Sequence, residues 1–381
     1  MENCTVLGDK IVQEILISLS KDEICEFLNT LATSLLSFST SDERSFQPEP
    51  AVVARSNGVK TLFRAFTSPE YVGTKIIVDP STSREQTDSL QENTTNANKP
   101  TLHGLLILCN KDGLPRGIIN ADEITAHRTS LSVMIPFSWR ERTAKIVVFG
   151  AGKQALWHIR LALALRGDEI KQITIVNRSA ERSRSLVSQI REENQSRWKS
   201  SVQLDSLDIT DAEFQRQLED VLATAHVVFC TTPSKVPLFP ARFLRRQLSE
   251  TGGCYVSSIG SWQPSMIELD PELLRDAVTS NSAYNPRGGA GGAVIVDDRE
   301  VARTSSGELI QSQLKPEQLV EVGEVINLKD DRSDNEQLEN WLGKGFVIYK
   351  SVGVSMTDLA AGTAILSLAS RRGKGLSVQD F

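Results

Sequence analysis

A glycine-rich turn between an apolar run and a helical segment is the first place where this sequence could do chemistry. Residues 146–149 form the apolar run, and the pattern that follows them is G-x-G-x-x-A. Glycines at these positions permit a tight turn and a close approach of a pyrophosphate, which the N–H groups at the start of the helix can bind. We therefore predict a dinucleotide-binding loop. Its expected ligand contacts are Gly150, Ala151, Gly152, Lys153 and Gln154.

The next β-prone run, residues 173–176, ends in Asn177, Arg178 and Ser179, with Arg182 one helical turn further on. A site that prefers NAD(H) usually carries an acidic residue at this position, where it binds the ribose hydroxyls. No carboxylate stands here, and Arg178 can instead pair with a 2′-phosphate, with Asn177 and Ser179 as hydrogen-bond partners. We therefore predict NADP(H) rather than NAD(H). The alternative is that Arg178 is a solvated side chain at the start of a helix.

Other candidates follow later strands of the same pattern. Thr231 and Thr232 come after a fourth strand, and Ile259 lies in the segment Ser257-Ser258-Ile259-Gly260 after a fifth. Ligands of doubly wound sheets bind at the carboxyl ends of the strands, so these residues are candidates for cofactor binding. Ordinary loop chemistry explains each of them equally well.

Two further candidates lie before the glycine-rich turn. Lys75 begins a β-prone run, where its ammonium group could hold a carboxylate or merely face water. A helical segment at residues 121–135 carries a polar stripe at helical spacing, which is either a ligand-binding face or a solvated one. The stripe consists of Thr125, Arg128, Thr129 and Ser132.

The elements that would position these residues differ between the two halves of the chain. Residues 11–38 show helical periodicity, and residues 51–78 alternate short β-prone runs with turn signals, as antiparallel strands do. Beyond Lys145 strands alternate with helices, which indicates an α/β fold with a doubly wound parallel sheet of the Rossmann type. The polar residues 83–100 and the glycine-rich stretch 285–292 are predicted to be flexible insertions.

Composition narrows the possible partners. The 381 residues carry a formal net charge of −6 with acidic and basic side chains interspersed, which provides no basic surface for nucleic acid or an anionic membrane. Five scattered cysteines and four histidines show neither a disulfide framework nor metal-ligand spacing. No apolar run approaches the roughly 20 residues of a membrane span, and the N-terminus is unlike a signal peptide. We expect a cytosolic protein with a small-molecule ligand and no metal, nucleic-acid or membrane partner.

Taken together, the motifs resemble the ornithine cyclodeaminase/mu-crystallin family. The resemblance runs from near residue 47 to near residue 362, apart from the two insertions, and it is far more specific than the glycine pattern alone. The segments that carry it are residues 100–101, 126–129, 149–155 with His158, 176–179, 322–325, and 349–353 with Asp358 and Leu359.

The resemblance implies a Rossmann domain inserted into an α+β substrate-binding and dimerisation domain. On this basis we place the substrate-binding domain at residues 1–138 and 345–381, and the NADP-binding domain at residues 139–344. The resemblance also implies a homodimer that forms through the sheet of the substrate-binding domain.

Individual site residues follow from the same resemblance. Lys75 and Arg128 match family positions that hold the substrate carboxylate, and Arg128 is also expected to contact the cofactor. Thr101, His103 and Ser351 match positions near the nicotinamide half of the cofactor.

The chain departs from the family pattern at two positions. Where cyclodeaminases carry an aspartate shortly after the fifth strand, this chain has Trp262, which cannot act as a carboxylate base. This departure disfavours redox-neutral cyclisation of ornithine and leaves hydride transfer intact. Pro50 stands where the family often carries an arginine that contacts the substrate carboxylate, and either Arg55 or Arg64 could fill the same space.

These observations predict an NADPH-dependent oxidoreductase that reduces the C=N bond of a small, carboxylate-bearing, cyclic imine to an amino acid. The nicotinamide would supply hydride, and Lys75 or water would protonate the nitrogen. Two alternatives stay open. One is an ornithine cyclodeaminase-type lyase that releases ammonia, and the other is a non-catalytic protein that binds NADPH or another ligand.

Overall fold

The computed structural model describes residues 3–79, 103–249, 253–261, 263–331, 335–379 and 381. The chain divides into two compact units. The first comprises Met1–Arg128 and Val354–Phe381, and the second comprises Thr129–Gly353. The predicted insertion at residues 83–100 lies outside the described residues.

The first unit combines a largely antiparallel sheet with helices, and all elements are numbered in chain order through the whole protein. Its strands are β1 (Cys4–Leu7), β2 (Ala51–Ala54), β3 (Lys60–Thr67), β4 (Tyr71–Asp79), β5 (His103–Asn110), β6 (Pro115–Asn120) and β15 (Leu376–Val378). Its helices are α1 (Asp9–Ile17), α2 (Lys21–Thr40) and α13 (Ser355–Arg371). Helix α3 (Ala121–Ser138) begins in this unit and ends in the second.

The strand order of this sheet is β15-β1-β6-β5-β4-β3-β2. Only the β1–β6 pair is parallel among the pairs in the described residues. Side chains alternate between the two faces of a strand, so Lys75 of β4 shares one face with its cross-strand partners Arg64 and Leu106. Helix α13 contacts β3, β4 and β5 and also α2. This arrangement buries Lys75 in the sheet of the first unit.

The second unit alternates strands and helices. Its strands are β7 (Lys145–Phe149), β8 (Gln172–Val176), β9 (Gln203–Leu207), β10 (Val227–Cys230), β11 (Tyr255–Ser258), β12 (Val294–Val296), β13 (Leu319–Glu321) and β14 (Val347–Lys350). Its helices are α4 (Lys153–Arg166), α5 (Ala180–Ser196), α6 (Phe214–Ala223), α7 (Arg245–Ser249), α8 (Pro271–Thr279), α9 (Arg299–Ser305), α10 (Gly307–Ser312), α11 (Val322–Asp330) and α12 (Glu336–Lys344).

The sheet of the second unit has the order β13-β12-β14-β11-β10-β7-β8-β9, and its pairs are parallel. From β7 the order runs outward in both directions, to β8 and β9 on one side and to β10 and β11 on the other. Strands β10, β11 and β14 are buried along their whole length, as expected for a parallel sheet covered by helices. The predicted α/β fold with a doubly wound parallel sheet of the Rossmann type is confirmed.

The unit boundaries fall at positions that differ from the predicted 138/139 and 344/345. The first division lies inside α3, between Arg128 and Thr129, because the second half of this helix packs with the parallel sheet. Tyr255 Oη of β11, for example, donates to the carbonyl of Val133 at 2.9 Å. The second division follows Gly353, because β14 pairs with β11 and β12. The functional assignment of the two units stays a prediction.

Some elements carry little sequence signal. Strands β1 and β15 are four and three residues long, too short to show a period, and the sequence analysis did not predict them. The glycine-rich stretch 285–292 lies between α8 and β12 and forms neither helix nor strand. Among the described residues, the helices are all too short or too polar to cross a membrane.

Candidate cofactor and substrate sites

The carboxyl ends of β7 and β10 meet at the point where the strand order reverses. The N–H of Gly150 donates to the carbonyl of Val176 at 2.9 Å. The φ of Gly150 is +116°, a backbone conformation that residues with a side chain rarely adopt. A Cβ on Gly150 would lie 2.6 Å from Thr231 Oγ1, so glycine is needed for this close approach. Thr231 Oγ1 donates to the carbonyl of Phe149 at 2.7 Å. Two predicted site residues thus lie side by side at a topological switch point, where ligands bind in such sheets.

Gly152 leaves open space at the start of α4. It is the N-cap of that helix with a φ of −104°, and nothing lies within 4 Å of a Cβ built on it. Since glycine has no side chain, no capping side chain covers the N-terminus of α4, where an anion can bind. Lys153 is exposed there, whereas the amide oxygen of Gln154 accepts from Ser130 Oγ at 3.3 Å. The loop from Gly150 through Ala151 to Gly152 therefore has the features that a pyrophosphate requires.

The segment after β8 combines two structural side chains with two exposed cations. Asn177 Nδ2 donates to the carbonyl of Ser179 at 3.0 Å, and Ser179 Oγ accepts from the N–H of Arg182 at 3.3 Å as the N-cap of α5. Arg178 and Arg182 are exposed. Asn177 and Ser179 therefore stabilise the turn that follows β8. The side chain of Arg178, between them, is exposed to solvent.

A buried carboxylate joins the loops that follow β10 and β11. The Glu268 side chain accepts from the N–H of Thr232 and from the N–H of Gly260, both at 2.6 Å. The N–H of Ile259 donates to the carbonyl of Cys230 at 3.2 Å. Thr232 and Ile259, predicted as separate candidates, are thereby fixed at neighbouring strand ends. The sequence analysis missed Glu268, whose only signal is an acidic residue between two apolar neighbours.

Ser351 at the end of β14 is held by another buried acid that the sequence analysis missed. Asp297, which follows β12, accepts from Ser351 Oγ at 2.7 Å, from the N–H of Val352 at 3.0 Å and from the N–H of Gly353 at 2.6 Å. Asp297 and Ser351 are 2% and 3% exposed. The Ser351 hydroxyl therefore has a partner within the protein and fixes the course of this loop.

In the first unit Lys75 and Arg128 meet on one carboxylate, that of Asp358. Lys75 Nζ lies 2.6 Å from Asp358 Oδ1, and Arg128 Nε lies 2.7 Å from the same oxygen. Strand β4 supplies the lysine, α3 the arginine, and the first turn of α13 the aspartate. The three side chains are 1%, 5% and 2% exposed. The structure thus brings together the two predicted substrate-binding cations and adds Asp358, which was not itself a predicted site residue.

The buried cluster changes the acidity of its members. Burial and the positive charges of Arg128 and Arg64 lower the pKa of Lys75 from 10.5 to about 7, although Asp358 opposes this change. Burial alone would raise the pKa of Asp358, but the cations Arg128, Lys75 and Arg64 outweigh it and lower that pKa. Asp358 is therefore ionised, and Lys75 can exchange a proton near neutral pH.

Arg64, and not Arg55, belongs to this cluster. Arg64 of β3 is the cross-strand partner of Lys75, and its charge lowers the pKa of both Lys75 and Asp358. Arg55 is exposed in the turn between β2 and β3. Of the two candidates for the space of the missing family arginine at Pro50, the structure therefore favours Arg64.

The polar stripe on α3 is not a solvated face, contrary to one interpretation of its spacing. Arg128 and Ser132 are buried, and Thr125 and Thr129 are half-buried. The adjacent His127 is fully buried with its ring centroid 5.0 Å from that of Phe27, and burial lowers its pKa to about 3. His127 is thus a neutral core residue that helps to fix the helix.

The remaining candidates from the sequence differ in their exposure to solvent. The His103 side chain is 70% exposed, and its Nδ1 lies 3.0 Å from Asp122 Oδ2. His158 is fully buried, its Nδ1 lies 2.8 Å from Ser130 Oγ, and burial lowers its pKa to about 4. Thr101 and Trp262 lie outside the described residues. The roles predicted for Thr101 and His103 near the nicotinamide stay predictions.

Comparison with known proteins identifies relatives along most of the chain. The model of the ornithine cyclodeaminase/mu-crystallin family matches residues 67–372. An uncharacterised protein of Saccharomyces cerevisiae is 27% identical and covers 97% of this chain and 98% of its own. The ketimine reductase mu-crystallin of Rattus norvegicus is 22% identical and covers 90% of this chain and 94% of its own.

A solved structure shares the fold. The Δ1-pyrroline-2-carboxylate reductase of Thermococcus litoralis, in complex with NADH and L-proline, matches with a TM-score of 0.71 and 15% identity. The match covers 98% of this chain and 100% of that chain. At this level of identity the likeness concerns the fold alone.

Proposed function

The chain belongs to the ornithine cyclodeaminase/mu-crystallin family, and from this premise we propose that it uses NADPH to reduce the C=N bond of a small, carboxylate-bearing imine. Relatives of this family include a ketimine reductase and a Δ1-pyrroline-2-carboxylate reductase, which act on substrates of this class. The product is the corresponding amino acid, and a cyclic imine is the form that we expect. The reverse reaction, oxidation of an amino acid, uses the same groups.

The observation that carries the proposal is the buried cluster of Lys75, Arg128 and Asp358. Lys75 and Arg128 both contact the carboxylate of Asp358, and the charge of Arg64 also acts on it. Cations can hold a further carboxylate, that of the substrate, and a guanidinium group can bind it through more than one N–H. We infer that these cations hold the acid group of the imine.

Lys75 also has the acidity that the reaction needs. Hydride addition to the carbon of a C=N bond leaves an electron pair on nitrogen that takes up a proton. A group with a pKa of about 7 is an efficient donor at neutral pH, and the pKa of Lys75 has this value. We propose that Lys75 Nζ gives its proton to the imine nitrogen while Asp358 keeps the side chain in position.

The second unit would hold the cofactor. The glycine loop and the N-terminus of α4 fit a pyrophosphate, and the strand ends at Thr231, Ile259 and Ser351 fit the remainder of a dinucleotide. A dihydronicotinamide bound there supplies the hydride. The exposed Arg178, in a segment without a carboxylate, favours a 2′-phosphate and hence NADPH over NADH.

An exposed apolar sheet face supports a homodimer. Phe63 of β3 and Leu105 of β5 both flank Ile76 of β4 in the register, on the face opposite Lys75. Phe63, Leu105 and Val78 are 39%, 44% and 37% exposed. A contiguous apolar face of this kind is a usual site of protein association, and we propose a second copy as its partner. Light scattering should report a dimer for the native protein and a monomer for Leu105→Lys.

The activity test is the absorbance of NADPH in the presence of purified protein and a panel of imines. The panel contains pyrroline-carboxylate and piperideine-carboxylate, with NADH assayed in parallel and a carboxyl-free cyclic imine as the matched control. Oxidation of NADPH that requires the carboxyl group is the expected result. Ammonia release from ornithine without net cofactor oxidation would instead indicate the lyase, and tight cofactor binding without any turnover would indicate a binding protein.

A further inference from the structure

Two carboxylates, one ammonium group and one hydroxyl form a buried network beneath the loops that follow β10 and β11. Glu268, Glu308, Lys350 and Ser258 are each 0% exposed. Ser258 and Lys350 are the last residues of the neighbouring strands β11 and β14, and Glu308 lies on α10. The network belongs to the second unit, and neither of its carboxylates was a candidate in the sequence analysis.

Ser258 Oγ contacts both glutamates but has a single proton to donate. Ser258 Oγ lies 2.8 Å from Glu268 Oε2 and 3.0 Å from Glu308 Oε1. A hydroxyl has one proton and donates to only one carboxylate, while an ionised carboxylate can only accept. A proton on one of the two glutamates would supply a donor for the second contact. Lys350 does not supply a donor between Ser258 and the second glutamate. Its Nζ lies 3.3 Å from Ser258 Oγ and donates to that oxygen.

Further contacts of Glu308 complete the network. Glu308 Oε1 accepts from Ser261 Oγ at 2.5 Å and lies 3.4 Å from Lys350 Nζ. Its other oxygen, Oε2, is buried and has no hydrogen-bond partner among the described residues. A fully ionised pair would therefore place a negative charge on an oxygen that no donor stabilises.

The charge balance leads to the same conclusion. Two ionised glutamates beside Lys350 would leave one net negative charge in a site without solvent. Burial raises the pKa of the Glu268 carboxyl, and the charge of Glu308 adds to this rise, against the opposing effect of Lys350. Burial and both glutamates also raise the pKa of the neighbouring Cys230 thiol well above its ordinary value, so this thiol stays neutral. One proton shared by the glutamates makes the network neutral.

We propose that Glu268 and Glu308 share one proton through Ser258, and that Glu268 in this network positions the loops that bind the cofactor. The two oxygens of Glu268 accept the N–H groups of Thr232 and Gly260, which follow β10 and β11. Glu268 is thus a positioning residue that acts on the loops from beneath. The second part of the proposal rests on the proposed function, whereas the shared proton does not.

Infrared spectroscopy of the whole protein tests the shared proton. A protonated carboxyl group has a C=O stretching band that an ionised carboxylate lacks. We expect this band at neutral pH in the native protein, and it should shift when glutamate is labelled with ¹³C at its carboxyl carbons. This measurement needs no substitution, so a variant that fails to fold does not weaken it. Absence of the band, or a band that labelled glutamate leaves in place, would overturn the shared proton.

Variants assign the band to the pair. Glu268→Gln and Glu308→Gln should each abolish it, because either change removes one member of the pair that shares the proton. Asp297→Asn is the matched control, since Asp297 is a buried acid of the same unit that accepts from the donors Ser351, Val352 and Gly353. The band should persist in that variant. Loss of the band in Asp297→Asn alone would assign the proton elsewhere and contradict the proposal.

Cofactor binding tests the positioning role. In Glu268→Gln the amide NH₂ must face one of the two backbone donors, so one loop loses its anchor. We expect the Kd for NADPH to rise by about tenfold or more, with a smaller change in kcat at saturating cofactor. Glu317→Gln, a change at an exposed glutamate of the same unit, should leave the Kd unaltered. An unaltered Kd in Glu268→Gln would overturn the positioning role. If the native protein binds no nicotinamide cofactor, the proposed function fails, and the infrared result still decides the shared proton.

Discussion

Lys75 and Asp358 form a buried ion pair between residues that are 283 positions apart in the sequence, with Nζ and Oδ1 separated by 2.6 Å. Arg128 Nε lies 2.7 Å from the same carboxylate, so Asp358 balances two cations at once. An ion pair in a site without solvent depends on both partners, because removal of one leaves an uncompensated charge. The pair is therefore as important for the stability of the first unit as for its proposed chemistry.

Replacing Asp358 with asparagine should destabilise the protein strongly. The change removes the negative charge that Arg128 and Lys75 contact in the protein interior, and the loss of one partner of a buried ion pair costs about 3–5 kcal/mol. Chemical denaturation followed by circular dichroism measures this loss as a decrease in the free energy of unfolding. Asp112→Asn, at an exposed position of the β5–β6 turn, is the control and should change that free energy by less than about 0.5 kcal/mol. Equal stability of the two variants would contradict the buried ion pair.

The lowered pKa of Lys75 predicts how stability depends on pH. The unfolded chain binds a proton at Lys75 up to a pKa of 10.5, whereas the folded protein releases it at about 7. Between these values the unfolded state binds more protons, so the contribution of this group to the free energy of unfolding rises with pH. Below pH 7 both states are protonated and the contribution is constant. Denaturation curves from pH 6 to pH 10 should show this rise in the native protein and a flatter profile in Lys75→Met.

The proposed proton donation by Lys75 predicts a different pH dependence for catalysis. The protonated donor is lost as pH rises through about 7, so kcat/KM for imine reduction should fall above that pH. Lys75→Arg keeps the positive charge but has no accessible proton to give, so it should lower kcat by about 10²-fold or more while retaining substrate binding. Steady-state kinetics across this pH range provide the test. A kcat in Lys75→Arg close to the native value would assign the proton to water.

The sequence was informative where a pattern is local. Around Gly150 an apolar run, a glycine turn and the start of a helical pattern follow one another within about ten residues. Repeated units of this kind predicted the parallel sheet. Asp358 could not be assigned from sequence, because its partners lie on β4 and α3 and only the packing of α13 brings them together. The same holds for Glu268 and Glu308, which meet only at Ser258. Burial, which excludes the interpretation of the α3 stripe as a solvated face, is likewise a property of the packed structure.

The two glycines of the loop should respond differently to alanine. Gly150→Ala places a side chain at a φ of +116° and 2.6 Å from Thr231 Oγ1, so it should cost about 1–3 kcal/mol of stability. Gly152→Ala meets open space at a φ of −104°, so stability should change by less than about 1 kcal/mol. Its Cβ nevertheless occupies space beside the N-terminus of α4, and the Kd for NADPH should therefore rise. Thermal unfolding and cofactor titration of both variants separate the two effects, and tight NADPH binding by Gly152→Ala would place the pyrophosphate elsewhere.

Cofactor preference should depend on Arg178. Arg178→Asp exchanges attraction of a 2′-phosphate for repulsion, so the Kd for NADPH should rise by about 10–100-fold while that for NADH changes little. Arg184→Asp introduces the same charge change at an exposed position further along α5 and serves as the control. Fluorescence titration with both cofactors gives the four dissociation constants. If the ratio of the NADPH and NADH constants is the same in Arg178→Asp as in the native protein, Arg178 does not bind the 2′-phosphate and the preference for NADPH loses its physical basis.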